Sequence, residues 1–425
     1  MEHTSETSAA PARQNSLAQL VRSMGPGIMM AAAAVGGSHL VASTQAGAIY
    51  GYQLALLILL VNLFKYPFFR AGIQYTMGTG ESLVEGYAKM GKPYLWLFFL
   101  LCVFSAIINT AALLLFSASL LGYFIPFELS TIALCFIVLI TCLAILFAGH
   151  YKALDGLSKA IMAVLTVATV VAVIMAASNP VVPSSDFVSP SPWTLAAIGF
   201  IVVTMGWMPA PIEISSLTSM WLKSQRRYHN VTAKSALFDF NVGYIGTALL
   251  AIVFLALGAL VLHGSGISLS KSGAGFSHQL INLYASTIGE WSRYLIAVIA
   301  FFCIFGSTIT VIDGYARVIS ESQRLLRKQP EMNPRTTQNW MLVISALAIA
   351  IILFWAGALL PMLDFAMVMA FITTPFFALL NYILVTRTQL PVELALSKSQ
   401  KWLSISGLIY LFGFLALFVW WKWLI

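Results

Sequence analysis

A histidine beside two glycines and four charged side chains set in apolar sequence mark where this chain could do chemistry. The histidine is His39, which follows Gly36, Gly37 and Ser38; the charges are Lys65, Glu213, Asp239 and Asp313. An imidazole is a ligand for late transition ions. Beside a Gly-Gly pair it could equally hydrogen-bond a carbonyl freed by local unwinding. Glu213 lies four residues past Pro209, so it is either a functional carboxylate or half of a structural ion pair facing a vestibule. Charges inside a membrane span are costly and are functional candidates by default. Lys65 lies thirteen residues past Tyr52, deep for snorkelling, and could neutralise Glu213 or Asp313. Asp313 also has Arg317 four residues on, the spacing of an intrahelical pair. Asp239 reads as a packing or capping residue.

The surrounding sequence must supply a membrane scaffold. The chain has 425 residues, 60% of them hydrophobic and only 9% charged, with a mean hydropathy of +0.88. A soluble fold carries about 25% charged residues, so this apolar surface has to face lipid. About 20 apolar residues cross a bilayer. Spans are expected near 24–50, 52–71, 94–121, 129–148, 158–177, 194–221, 236–262, 293–316, 340–359, 362–385 and 403–421. Span 1 is interrupted at Gly36-Gly37-Ser38, and span 6 at Gly206, Pro209 and Pro211. Gly weakens a helix by about 1 kcal/mol, and Pro removes a donor. Such breaks are either kinks in buried helices or two halves of one site. Their offset of five spans favours the site, because it gives two five-helix repeats of inverted topology.

The net charge of +8 comes from Lys and Arg in short loops. Those on one side (Lys89, Lys92, Lys152, Lys159, Lys223, Arg226, Arg227, Lys234, Arg324, Arg327, Lys328, Arg335, Arg387, Lys398, Lys401) outnumber Lys271, Arg293 and Lys422 on the other. The positive-inside rule then places the N-terminus in the cytoplasm, and no nucleic-acid partner is implied. Residues 1–23 read as a disordered cytoplasmic tail without a signal peptide, 24–385 as a transport core with repeats 24–180 and 194–385, and 402–425 as an added eleventh helix. Cys102, Cys135, Cys142 and Cys303 lie in apolar runs and read as buried thiols. No nucleophile–base pair or metal-ligand spacing points to an enzyme, and no cofactor is expected. A monomer in a bacterial inner membrane is the expected setting.

Gly25-Pro26-Gly27, the stretch Gln45-Ala-Gly-Ala-Ile-Tyr-Gly-Tyr52, Val61-Asn62-Leu63 and Met208-Pro209 resemble the natural resistance-associated macrophage protein (NRAMP) family of divalent-metal transporters. The resemblance extends loosely to His263-Gly264 and Pro375. It implies a LeuT-like all-α fold of five plus five helices with an eleventh, helices 1 and 6 being broken at mid-membrane. It also implies metal import, usually coupled to protons. The departures fall on the family's site. Where the family has Asp-Pro-Gly-Asn, this chain has Gly36-Gly37-Ser38-His39; where it has Met-Pro-His, this chain has Met208-Pro209-Ala210. The family's acidic pair in helix 3 has no counterpart. Met367 falls near its helix 10 ligand.

By this resemblance the site residues are Gly36, Gly37, Ser38, His39, Met208, Ala210, Glu213 and Met367, with His39, Met208 and Glu213 as candidate metal ligands. Without Glu213 the set left is His39, Met208, Met367 and backbone carbonyls, soft and neutral, which would hold Cu(I) or a late transition ion better than Mn²⁺; Glu213 could replace the missing negative charge. Proton coupling along the family's route is expected to be weak or absent. The alternative cargo is a small anion or zwitterion held by free N–H groups at Gly36–Ser38.

Overall fold

A computed structural model describes residues 24–424 apart from 150, 180, 182, 184, 185, 229 and 356; the expected tail at 1–23 lies outside the described residues. Pro26–Ala34 (α1), a π-helical turn Ser38–Ser43 and Thr44–Tyr50 (α2) form the broken first span. Its two halves are bent by 47°. Ala55–Thr79 (α3), a short Leu83–Met90 (α4), Lys92–Gly122 (α5), Thr131–Phe147 (α6) and Tyr151–Ser178 (α7) complete the first repeat. The second opens on another broken span, Ile198–Gly206 (α8) and Ile214–Tyr228 (α9). It continues through Ala233–Val261 (α10), Gly273–Ile288 (α11), Arg293–Leu326 (α12), Pro334–Trp355 (α13) and Leu359–Arg387 (α14). Lys398–Leu424 (α15) is the added helix. All eleven expected spans therefore correspond to helices.

The structure adds two helices that a search for apolar spans passes over. The first, α4, is readable: Ser82 accepts from the Glu85 N–H while the Glu85 side chain accepts from the Ser82 N–H, a reciprocal cap written in the sequence as Ser-x-x-Glu. The second, α11, starts at Ser272, whose hydroxyl accepts from Gly275 N–H. It has no sustained apolar run to announce it.

The core is one continuous apolar cluster running through every repeat helix. Side chains such as Leu56, Leu100, Ile140, Val167 and Phe354 point outward and are exposed, as a lipid-facing surface requires. The middle helices are drawn in by close backbone contact. A Cβ at Gly206 would lie 1.9 Å from the Met367 carbonyl oxygen, so only glycine lets α8 end against α14. The four cysteines are free and buried, as expected.

Candidate functional site

The two breaks meet. Ser38 Oγ lies 2.6 Å from the Ala34 carbonyl oxygen and 3.5 Å from that of Pro209, joining the end of α1 to the unwound segment after α8. Trp207 fills the junction: a Cβ on Gly37 would lie 2.4 Å from its ring. Lipid offers no partner for an unwound backbone, so each freed group needs one from protein. Ser38 serves Ala34, and the Cys303 thiol donates to the Val35 carbonyl oxygen at 3.1 Å. The N–H groups of His39 and Leu40 turn back to the Gly36 carbonyl. Among the described residues the N–H groups of Gly36, Gly37 and Ser38 have no acceptor within hydrogen-bond distance.

Met208, Ala210 and Met367 are buried at this junction, and Ser43 Oγ approaches Met208 Sδ at 3.9 Å. The peptide bond between Met208 and Pro209 is cis. His39 is fully buried but turned away onto α10. Its Nε2 lies 2.9 Å from the Thr247 carbonyl oxygen, and its ring sits edge-on to Phe254. A carbonyl only accepts, so Nε2 carries the proton; Nδ1 lies 2.7 Å from Ser38 Oγ, whose single proton this nitrogen shares with the Ala34 carbonyl. Both ring nitrogens are thereby engaged. The hydrogen-bonding role that the sequence left open for His39 is the one this conformation displays.

Glu213 sits just before α9 at 1% exposure. Its Oε1 accepts from Tyr315 on α12 at 2.8 Å, and Oε2 has no hydrogen-bond partner among the described residues. Tyr315 in turn accepts from Asn109 on α5 at 3.0 Å, and the Asn109 carbonyl oxygen accepts from the Trp207 indole at 2.9 Å. A polar chain thus runs from the junction to Glu213 through the helix that carries no carboxylate. Lys65 reaches neither carboxylate with a hydrogen bond. Its ammonium donates to the carbonyl oxygens of Met205 at 2.8 Å and Gly206 at 3.1 Å, the last two of α8.

The remaining candidates belong elsewhere. Asp313 is held by Arg317 through both carboxylate oxygens at 2.8 and 2.7 Å, the intrahelical pair expected. Asp239 accepts from the Gly27 N–H at 2.7 Å and the Ile28 N–H at 3.2 Å, capping α1 from α10. The span analysis missed Tyr315, Asn109 and Asp364. Tyr315 carries no sequence signal. Asn109 and Asp364, however, are isolated polar residues in apolar spans, which is the signal to look for. One Asp364 oxygen is buried without a hydrogen-bond partner among the described residues, one helical turn before Met367.

A cavity of about 1270 Å³ opens among Glu85, Lys223, Asp313, Arg317, Glu321 and Arg324, on the side where the loops carry most Lys and Arg. It ends at Met29, Leu217 and Gly314, below the junction. Opposite, the crevice beside Gln45 holds only about 10 Å³. No cluster of three or more His, Cys, Asp or Glu side chains suited to a metal occurs among the described residues.

Comparison with known proteins places this arrangement. Residues 27–421 match the family described as natural resistance-associated macrophage protein-like. An uncharacterized protein of Pasteurella multocida is 54% identical over 400 residues, covering 93% of this chain and 91% of that one. In fold, the chain is similar to a manganese transporter of Eremococcus coleocola, with a TM-score of 0.72, 14% identity, and 97% and 89% coverage of this chain and that one. It is also similar to MhsT in complex with L-phenylalanine (TM-score 0.63, 14% identity, 92% and 97% coverage). The nucleobase-cation-symport-1 transporter Mhp1 is a third match (TM-score 0.60, 13% identity, 94% and 92% coverage). One LeuT-like scaffold therefore carries cargoes of very different chemistry. With eight helices long and apolar enough to cross a membrane among the described residues, two broken helices and a family match over nearly its whole length, this chain is a multi-pass membrane protein that belongs to the natural resistance-associated macrophage protein family of transporters.

Proposed function

We propose that this chain is a secondary transporter of soft metal ions, bound where the breaks of the first and sixth spans meet. Family membership supports a metal as cargo, as do structural neighbours that include a manganese transporter. The donor set supports a changed selectivity. The observation that carries this is that the buried Met208 thioether lies at the junction while the first break holds no carboxylate. The Cys303 thiol, bonded to the Val35 carbonyl, adds a second sulfur beside the first break. Thioether, thiol and carbonyl groups suit Cu(I) or a similar soft ion; Mn²⁺ prefers carboxylate and carbonyl oxygens. Glu213, at the end of the second break, supplies negative charge, and His39 would join only by giving up Thr247.

Proton coupling along the family's route is weak or absent in this proposal, because α5 contains no Asp or Glu and position 210 is alanine. The test is flux into proteoliposomes: saturable uptake of Cu(I), reduced at least tenfold in Met208→Ala, with negligible Mn²⁺ uptake. Equal Mn²⁺ and Cu(I) uptake, or no effect of Met208→Ala, would refute it. A small anion or zwitterion is the second cargo class. It is favoured by the three unpaired N–H groups of Gly36–Ser38, which could receive a carboxylate. It predicts no metal flux and uptake of a carboxylate solute.

A further inference from the structure

We propose that Lys65 is a tethered cation that occupies the place a hard metal ion would need, so that this side chain excludes divalent metals from the junction. The proposal deepens the reading of the two breaks as the cargo site and rests on it. A helix C-terminus carries about half a negative charge on its unpaired carbonyls. In broken-helix transporters the carbonyl ends of half-helices coordinate the cation. Here those carbonyls, Met205 and Gly206, are bonded by the Lys65 ammonium at 2.8 and 3.1 Å.

The position is built, not incidental. Lys65 is fully buried, so it does not snorkel. It is the eleventh residue of α3, about 15 Å along the axis at 1.5 Å per residue, and so stands near mid-membrane. An ammonium has three donors. Two are used, and no acceptor for the third lies within hydrogen-bond distance among the described residues.

Charge balance gives this its consequence. The Lys65 ammonium and the Glu213 carboxylate act on each other electrostatically, and Glu213 keeps one buried oxygen unpaired. In water-poor surroundings a divalent ion beside a fixed ammonium meets repulsion and finds its carbonyls taken. Removing the ammonium would free two carbonyls and leave the Glu213 carboxylate without the cation it interacts with. Two observations agree with an ammonium standing in for a metal. The first break lacks a carboxylate, which a resident positive charge makes unnecessary. Glu213, which has one buried oxygen with no hydrogen-bond partner among the described residues, interacts electrostatically with a lysine it does not directly bond.

Mn²⁺ binding to the purified full-length protein in nanodiscs, with the metal alone as probe, tests this. The parent is expected to show no saturable binding. Lys65→Met is expected to bind Mn²⁺ at least tenfold more tightly, and Lys65→Met/Glu213→Gln to lose that gain. Lys65→Gln, whose amide still donates to the carbonyls, covers the case in which the methionine variant fails to fold, and should show a smaller gain. Saturable Mn²⁺ binding by the parent, or no gain in either folded single variant, overturns the proposal. The cargo-site reading fails separately: Mn²⁺ gained in Lys65→Met but unaffected by a further Met208→Ala or Gly36→Asp would put the new cation away from the junction.

Discussion

Replacing Asp239 should loosen the first half-helix more than any other single capping change. In the structure this carboxylate, projecting from α10, accepts from the Gly27 N–H at 2.7 Å and the Ile28 N–H at 3.2 Å. The helix α1 is only nine residues long, and its own first residue before the helix, Gly25, offers no side-chain cap. Asp239→Ala leaves two donors without an acceptor. Each buried orphan costs about 1–3 kcal/mol, and a lost cap alone about 0.5–2 kcal/mol. Gly27 is buried whereas Ile28 is partly exposed, so the second donor recovers some solvation. The expected loss is about 2–4 kcal/mol, or roughly a 30- to 700-fold shift toward the unfolded or locally undocked state. Asp239→Asn keeps one accepting oxygen and should cost about half as much. The assay is the denaturant midpoint of the detergent-purified protein, read beside hydrogen exchange in residues 26–34. Unchanged midpoints in Asp239→Ala, or equal damage in the Asn and Ala variants, would refute the capping argument.

Four further outcomes are expected. Gly37→Ala places a Cβ 2.4 Å from the Trp207 ring; it should destabilise by about 1–3 kcal/mol, as overpacking does, and lower uptake, both read on the same preparation. Tyr315→Phe removes the sole hydrogen bond to the Glu213 carboxylate seen among the described residues. It should cost about 1.5–3 kcal/mol, since the lost bond is to a charged group, and an unchanged thermal midpoint would contradict this. Arg226→Ala removes one of two donors to the Thr76 carbonyl at the end of α3, at 2.6 Å, leaving the Gly80 N–H, and should cost about 1 kcal/mol in the same assay. Outside the spans, burial pushes the Glu85 carboxyl up, but bonds from Lys223 and from the Ser82 backbone and hydroxyl outweigh it and hold the group below its ordinary value of 4.5. A lowered folded value means stability that is present above pH 4.5 and lost as pH falls through the lower one. A pH–stability profile should show that acid-side loss, flattened in Glu85→Gln; an identical profile would refute it.

How far the sequence reaches is clear at particular residues. Eleven apolar stretches each long enough for a bilayer, and breaks at Gly36-Gly37 and at Gly206 and Pro209, determine the membrane class and the two-repeat organisation. They do so because lipid leaves a chain no alternative to helices, and because Gly and Pro act locally. The Asp313–Arg317 pair and the capping box of α4 were equally legible, being contacts within four residues. What the side chains do across helices was not. Lys65 has Glu213 and Asp313 as possible partners in sequence and takes two carbonyls instead. His39, conspicuous beside its glycines, turns to Thr247, 208 residues away. Asn109, Trp207, Tyr315 and Glu213 come from three different spans and form one chain of hydrogen bonds. Local chemistry determines which groups must find partners once water is excluded. Only the packing of distant helices decides which partner each one finds, because those distances depend on close approaches such as Gly206 against Met367 that no short-range pattern encodes.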